Sequence, residues 1–218
     1  TDEVGVFEMG EDGLAEVADP ARAFLAEHDA PAPGSVVAPT LEGSRPILVE
    51  VQALVSPGLG GTPRRTTSGV DTNRVSLLVA VLGRRAGIAL ATHDVFVNLA
   101  GGLTVEEPGL DLPLALALAS SLRDRPIAPG TVAIGEVGLL GELRSVGGVE
   151  RRLREAARLG FRRAIVPRAS RGRSVPIVTG LDVVPVGTLR EAVEAALAPA
   201  SASAAGSPRR LPVESGRC

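Results

Sequence analysis

The basic side chains of this sequence are all arginines, and two groups of them have a spacing suited to binding phosphate. The chain has 23 basic residues and no lysine. Burial can convert lysine into a neutral amine base, whereas arginine stays protonated. The sequence therefore excludes a Ser-Lys dyad, a lysine Schiff base and a phosphate-binding lysine of the Walker type.

The first group, Arg64, Arg65 and Arg74, lies in and just after a loop rich in Gly, Pro and Thr at residues 56–70. Guanidiniums on such a loop can reach a nucleic-acid backbone and form two hydrogen bonds to one phosphate. We predict that these three arginines contact DNA. The alternative is a solvated surface or a salt bridge between subunits.

The second group lies on a helix predicted over residues 149–159. Its arginines are expected to line the polar side of that helix, where Glu150 offsets part of their charge. Such a stripe can face DNA, and the alternative is a solvated or partner-facing surface. We predict DNA contacts for the first two members of the stripe, which are Arg151, Arg152, Arg154 and Arg158.

Few residues have the chemistry of a metal or nucleotide site. The histidines, His28 and His93, and the one cysteine, Cys218, cannot form a usual zinc site without several carboxylates. The run Gly58-Leu-Gly-Gly61 is not followed by Gly-Lys-Ser/Thr, so it is not a P-loop. We predict no metal site and no cofactor in this fragment.

Composition limits the class of protein. A net charge of −2 over 218 residues does not indicate a polyanion partner, so any DNA contact must come from a local basic patch. The absence of Trp and Tyr makes base-stacking platforms difficult to build. Neither a signal peptide nor a membrane-spanning run is evident, and a single cysteine rules out an internal disulfide. We expect a cytoplasmic protein with no membrane partner.

The hydrophobic pattern predicts hairpins interleaved with helices, which favours an α+β fold over an alternating parallel sheet. We predict one domain over residues 1–197 and a disordered tail rich in Ala, Ser, Pro and Gly at 198–218. The predicted strands cover 4–9, 14–17, 34–37, 46–55, 88–90, 94–99, 132–134, 139–146, 164–166 and 181–186. The predicted helices cover 20–25, 71–87, 111–122, 149–159 and 188–197.

The segment 135–148, GEVGLLGELRSVGG, is similar to a segment of the Lon peptidases, and GFRRAIVP at 160–167 continues the same pattern. The lysine of the Lon dyad lies two residues after the Gly-Gly pair, where this chain has Glu150. The Lon serine precedes a buried helix, and Gly109 stands at the matching position. The resemblance therefore implies a peptidase-like fold without the Ser-Lys dyad.

Further short motifs distinguish one family within this group. The chain resembles, over about residues 1–197, the C-terminal Lon-protease-like domain of the RadA (Sms) family of bacterial DNA-repair ATPases. In that family a zinc finger and a RecA-like ATPase come first, so we expect this chain to begin after them and to lack the parts that bind zinc and ATP. The motifs lie at 6–9, 13–17, 34–37, 42–46, 48–55, 63–65, 69–74 and 106–112.

The resemblance implies a fold like the Lon peptidases and domain 2 of ribosomal protein S5, assembled into a homohexameric ring. The full-length protein would be a DNA-dependent ATPase of recombinational repair and branch migration, using ATP, Mg²⁺ and Zn²⁺. Its partners would be single-stranded or branched DNA and a RecA-type recombinase.

We interpret this fragment as a non-catalytic scaffold for assembly and DNA binding, and not as an enzyme. One alternative is a Lon-like serine peptidase with an unrecognised nucleophile. The other is a DNA-binding module that acts without the ATPase.

Overall fold

The computed structural model describes residues 7–10, 13–16, 31–58, 60–169 and 174–197. The predicted helix at 20–25, His28 and the predicted tail at 198–218 with Cys218 lie outside these ranges. Eleven strands and four α-helices are present in the described residues.

The strands and helices follow one another in mixed order. The strands are β1 (Phe7–Gly10), β2 (Gly13–Glu16), β3 (Ser35–Glu42), β4 (Arg45–Pro57), β5 (Arg65–Ser68), β6 (His93–Leu99), β7 (Thr131–Ala133), β8 (Glu136–Val137), β9 (Leu143–Arg144), β10 (Arg163–Pro167) and β11 (Asp182–Val186). The helices are α1 (Thr72–Val81), α2 (Asp111–Arg123), α3 (Val149–Arg158) and α4 (Leu189–Ala196).

Seven strands form the central sheet, in the order β11-β10-β7-β3-β4-β6-β5. The pairs β3/β4 and β4/β6 are antiparallel, and the other four pairs are parallel. Two further hairpins, β1/β2 and β8/β9, stand apart from it. The mixed sheet with four helices confirms the predicted mixture of strands and helices.

The helix α2 forms the centre of the core. All its residues from Asp111 to Ser120 are buried, as its nearly continuous apolar sequence predicts. Its leucines pack on one face of the sheet together with α1, α4 and the side chains Val49 and Val51 of β4. The opposite face carries α3, whose Leu153 packs with Leu48. Alternation along β4 therefore divides the core into two layers.

Two helix starts follow local sequence rules. The Asp71 carboxylate accepts a hydrogen bond from Arg74 N at the beginning of α1, and the Thr188 hydroxyl accepts one from Glu191 N at the beginning of α4. Beyond α1, one π-helical turn (Leu82–Ala86) ends at Gly87, whose φ of 72° lies in the left-handed region. Both ends of the helix predicted at 71–87 are confirmed.

Two strand predictions and one loop prediction differ from the structure. Residues 88–90 form no strand, and residues 139–142 are the turn between β8 and β9. The predicted loop at 56–70 contains β5, which pairs in parallel with β6. Parallel pairing depends on partners distant in the chain, so the local Gly and Pro content of the loop conceals it. In the described residues, no helix has the length and apolar character needed to cross a membrane.

Candidate functional site around Gly109

Gly109 lies in a single 3-10 turn immediately before α2. It is buried, and its carbonyl oxygen accepts a hydrogen bond from Gly135 N at 3.0 Å. A β-carbon at this position would lie 3.1 Å from Glu107 Oε1 and 3.5 Å from Ile134 Cγ1. At the position that the Lon resemblance assigns to a serine, the backbone of Gly109 therefore lies close to the Glu107 side chain.

Arg152 and Glu107 form a two-pronged ion pair beside this turn. The Nη1 atom of Arg152 lies 2.6 Å from Glu107 Oε1, and Nη2 lies 2.8 Å from Oε2. Arg152 also donates to the carbonyl oxygens of Pro39 at 3.1 Å and Gly147 at 3.0 Å. Its side chain is only 4% exposed. The pair ties α3 to the segment that leads into α2.

A second ion pair joins Arg74 of α1 to Asp111 at the first position of α2. Arg74 donates from Nε and Nη2 to the two carboxylate oxygens, and Val137 N donates to Asp111 Oδ2 at 3.0 Å. Hydrogen bonding to the Asp111 carboxylate raises the pKa of Arg74 further above its ordinary value, against the opposing effect of burial. Asp111 is buried, so one carboxylate connects α1, α2 and the β8/β9 hairpin.

The two ion pairs border a cavity of ≈ 250 Å³ that is rich in carboxylates. Within the described ranges, no three His, Cys, Asp or Glu side chains converge to hold a metal ion. The arrangement is suited to fixing the relative positions of α1, α2 and α3. The charged residues that line the cavity are Arg74, Glu106, Glu107, Asp111 and Glu136.

Glu150, at the position of the Lon lysine, is in the first turn of α3 and is largely exposed. Its carboxylate pairs with Arg154 one turn later. The chain has no lysine at all, so a Ser-Lys dyad is absent.

The structure separates the five arginines predicted to bind DNA. Arg65 donates to the carbonyl oxygens of Arg64, His93 and Leu90, and so is used within the fold. The ion pairs described above likewise occupy Arg74 and Arg152. DNA contact by these three residues stays a prediction, and it would require their side chains to leave these partners.

The burial of Arg152 has a reason in the periodicity of its helix. Val149, Arg152, Leu153 and Ala156 follow the i, i+3, i+4, i+7 spacing of one helix face. Arg152, Leu153 and Ala156 are buried on that face. The stripe predicted on α3 thus consists of Arg151, Arg154 and Arg158, of which the last two pair with Glu150 and Glu155.

Of the five predicted residues, Arg64 and Arg151 are the two that are exposed and form no ion pair with another described residue. Arg151 donates one hydrogen bond, to the Ser44 carbonyl oxygen at 2.9 Å. Arg64 directly precedes β5, whose first residue, Arg65, pairs with Val95 of β6, and Val95 pairs in turn with Val55. Ser44 and Val55 are 11 residues apart at the two ends of β4, which corresponds to roughly 35 Å of extended strand. The two arginines do not form one patch.

A basic cluster that we did not predict lies at the end of α1. Arg84 and Arg85 are exposed in the π-helical turn, and Arg190 of α4 donates to the Arg85 carbonyl oxygen at 3.3 Å. We call these three residues the basic patch. The Arg-Arg pair at a helix end was the available signal in the sequence, but its closeness to Arg190 depends on tertiary packing.

The turn between β8 and β9 is held by Glu142. Its carboxylate accepts from Leu140 N at 3.1 Å and from Arg144 Nη2 at 2.6 Å, and Gly138 N donates to its carbonyl oxygen at 2.9 Å. A hydrogen bond from its own backbone N–H and one from the Arg144 side chain lower the pKa of Glu142 below its ordinary value of 4.5. The turn is thus most firmly held while Glu142 is ionised.

We expect the Glu142 carboxyl to titrate with a midpoint below 4.5. Because folding lowers this pKa, its contribution to stability is complete above the unfolded value and is lost as pH falls through the folded one. Side-chain carbon NMR across pH 2–7 measures the midpoint, and Arg144→Ala should raise it. A midpoint at or above 4.5 would contradict the hydrogen bonding described here.

Comparison with known proteins adds two findings. Residues 64–170 match the family model described as subunit ChlI of Mg-chelatase. The chain is 48% identical over 198 residues to the DNA repair protein RadA of Bacillus subtilis, covering 90% of this chain and 43% of that protein. The RadA proteins of Halalkalibacterium halodurans and Listeria monocytogenes are 47% and 46% identical, with the same coverage.

The first finding corrects one prediction. The matched family is described as a subunit of an enzyme, Mg-chelatase, so the prediction that this fragment is not an enzyme is wrong. The lack of lysine excludes a Ser-Lys dyad but leaves other chemistry open.

The second finding accords with the short motifs of the sequence. The chain spans less than half the length of these curated relatives, and the similarity extends over nine tenths of the chain itself. This chain is therefore homologous to a part of the proteins named DNA repair protein RadA.

Proposed function

We propose that this region acts in DNA repair as a Lon-like domain through which copies of the protein assemble and contact DNA phosphates. The observation that carries the proposal is the 48% identity to a DNA repair protein over 90% of the chain. The geometry adds exposed arginines that have no carboxylate partner among the described residues, and a core in which ion pairs hold three helices in fixed positions.

A Lon-like fold is supported by local structure at the motif that suggested it. The segment 135–148 forms the β8/β9 hairpin, and α3 begins directly after Gly148, whose φ of 69° lies in the left-handed region. A β-carbon on Gly148 would also lie 3.0 Å from Leu41 Cδ1. The glycines of the motif therefore serve tight backbone geometry, as the resemblance implies.

Contact with DNA is supported by the positions of the exposed arginines. Arg64 and Arg151 lie roughly 35 Å apart along the sheet, which equals about ten base pairs at 3.4 Å each. A duplex running along β4 would reach both, whereas a shorter contact would use one of them or the basic patch. Guanidiniums bind phosphate through two parallel hydrogen bonds, so each site can position a strand without reading sequence.

The longer protein would supply the remaining parts of the activity. We propose that ATP, Mg²⁺ and Zn²⁺ serve regions outside this chain, that the assembly is a hexameric ring, and that a RecA-type recombinase and single-stranded or branched DNA are partners in the cytoplasm. The residues present do not fit a Walker-type ATP site, because such a loop needs a lysine and this chain has none. They also do not fit a zinc finger, since the chain has one cysteine.

DNA affinity measured against salt concentration tests the proposal. Each arginine that neutralises a duplex phosphate contributes about −0.9 to the slope of log affinity against log salt. We expect Arg64→Ala, Arg151→Ala and Arg84→Ala/Arg85→Ala to reduce the slope by about one for each contact that they remove. Fluorescence anisotropy with duplex and single-stranded oligonucleotides provides the measurement.

The matched control is Arg154→Ala, because Arg154 is also exposed on α3 but pairs with Glu150. We expect its slope to equal that of the unchanged protein. Slopes unaffected by all three test variants, or no binding even at low salt, would contradict DNA contact by this region.

A further inference from the structure

The β8/β9 turn presents two leucines to solvent. Leu139 is 66% exposed and Leu140 is 72% exposed, although both belong to an ordered turn. The turn is fastened on both sides, because Val137 N donates to Asp111 and Leu189 N donates to the Gly141 carbonyl oxygen at 2.8 Å. We call Leu139 and Leu140 the dileucine tip.

An apolar groove lies on the same face of the sheet as α3, in a part of that face that α3 does not cover. Its volume is ≈ 450 Å³, and Leu54 on its floor is 61% exposed. A cavity of about 150 Å³ takes up benzene, with six carbons, so the eight side-chain carbons of two leucines need roughly 200 Å³. The groove therefore has room for the dileucine tip. Its lining includes Pro33, Gln52, Leu54, Thr66, Phe96 and Asn98.

The groove is also uncharged. No Asp, Glu, Lys or Arg lines the groove among the described residues. At the tip, the charge of Glu142 is balanced by Arg144 in a hydrogen-bonded pair. The two leucines therefore bring no unpaired carboxylate into the groove, and Arg85, which packs against Gly141, lies at the base of the tip.

The tip and the groove cannot meet within one chain. The first residue of α2, Asp111, is bonded to the tip hairpin. Near the other end, Ser120 Oγ accepts from Gly34 N, and Ser121 Oγ accepts from Val55 N, both at 2.9 Å beside the groove. The 13 residues of α2 separate the two sites by about 20 Å. In addition, Leu54 points away from the sheet face on which α2 packs.

We propose that the dileucine tip of one copy docks in the apolar groove of the next, making a head-to-tail contact between identical chains. This inference rests on the assembly part of the proposed function and names its interface. A contact between two different surfaces leaves one tip and one groove free in every dimer, so it continues until a ring closes. In this interface the dileucine tip forms the apolar centre, and polar groove residues such as Thr66 and Asn98 form the rim.

Mixing two defective variants tests the head-to-tail geometry. The tip variant carries Leu139→Asp and Leu140→Asp, and the groove variant carries Leu54→Asp. Each is expected to associate at least tenfold more weakly than the unchanged chain. Mixed in equal amounts, they retain one intact tip and one intact groove between them, so they should form a 1:1 dimer that grows no further. Sedimentation velocity and native mass measurement record the species.

The matched control is Ile177→Asp, because Ile177 is 97% exposed but belongs to neither surface. It should assemble as the unchanged chain does. Far-ultraviolet circular dichroism checks that each variant is folded. As an independent measurement, Leu140→Cys combined with Leu54→Cys in a Cys218→Ser background should give disulfide-linked multimers on oxidation.

The outcomes separate the interface from the wider proposal. If the tip and groove variants assemble like the unchanged chain, or if their mixture gives no dimer, the interface is elsewhere while assembly itself stands. If the unchanged chain is monomeric at every concentration, the interface and the assembly part of the proposed function both fail. DNA binding is measured separately by its salt slope.

Discussion

Replacing Arg152 with methionine is expected to lower the free energy of unfolding by about 3–5 kcal/mol. The change removes the guanidinium from a pair in which its two Nη atoms bond to both Glu107 oxygens, and it leaves a largely buried carboxylate without its partner. The carbonyl oxygens of Pro39 and Gly147 lose their donors in the same step. Urea unfolding followed by circular dichroism measures the difference.

The neighbouring residue provides a control for this prediction. Arg151→Met removes an identical side chain one position earlier, where it is exposed, and should change stability by less than about 0.5 kcal/mol. Combining Arg152→Met with Glu107→Leu should recover part of the loss, because no charge is then left unpaired. Equal effects of the Arg151 and Arg152 substitutions would show that the ion pair does not hold α3 in place.

Asp111→Asn is expected to lower the free energy of unfolding by about 2–4 kcal/mol. This is somewhat less than the effect of losing the Arg152 pair, because Arg74 is partly exposed and water can solvate it. The amide keeps the size of the carboxylate but not its charge, so the pairing with Arg74 is lost. The hydrogen bond from Val137 N is weakened as well. Beyond the lower unfolding energy, hydrogen exchange at the Val137 amide should become faster.

Asp182→Asn is the matched comparison for this variant. Asp182 also faces an arginine, Arg163, but at 3.9 Å and with most of its side chain exposed. Exposed pairs of this kind contribute from about 0 to 1 kcal/mol, so the substitution should have little effect. If hydrogen exchange at the Val137 amide were equally slow in Asp111→Asn and in the unchanged protein, the role given to the Asp111 carboxylate would be contradicted.

Features determined by local sequence were predictable. The capping residues Asp71 and Thr188 begin helices where expected, and the apolar run of α2 is buried as its composition requires. The β3/β4 hairpin follows from two β-rich runs separated by a short turn. In each case the determining residues are close together in the chain, so the pattern can be recognised without knowledge of the fold.

Features determined by distant contacts were not predictable. The parallel pairing of β5 with β6 and the proximity of Arg190 to Arg85 join parts of the chain that the sequence does not connect. Arg152 shows a different limit, because charge suggested an exposed side chain while its spacing with Leu153 indicated burial. A buried arginine requires a carboxylate partner, and the sequence offered no means of identifying Glu107 as that partner.

The anchoring of α2 at both ends has a mechanical consequence. Asp111 fastens the helix to the β8/β9 hairpin, and Ser120 and Ser121 fasten it to the backbone at Gly34 and Val55. Because its middle is packed on nearly all sides, the helix cannot shift along its axis without breaking hydrogen bonds at one end. A force applied at the hairpin is therefore transmitted along α2 to the backbone at the start of β3 and near the end of β4, in the middle of the sheet.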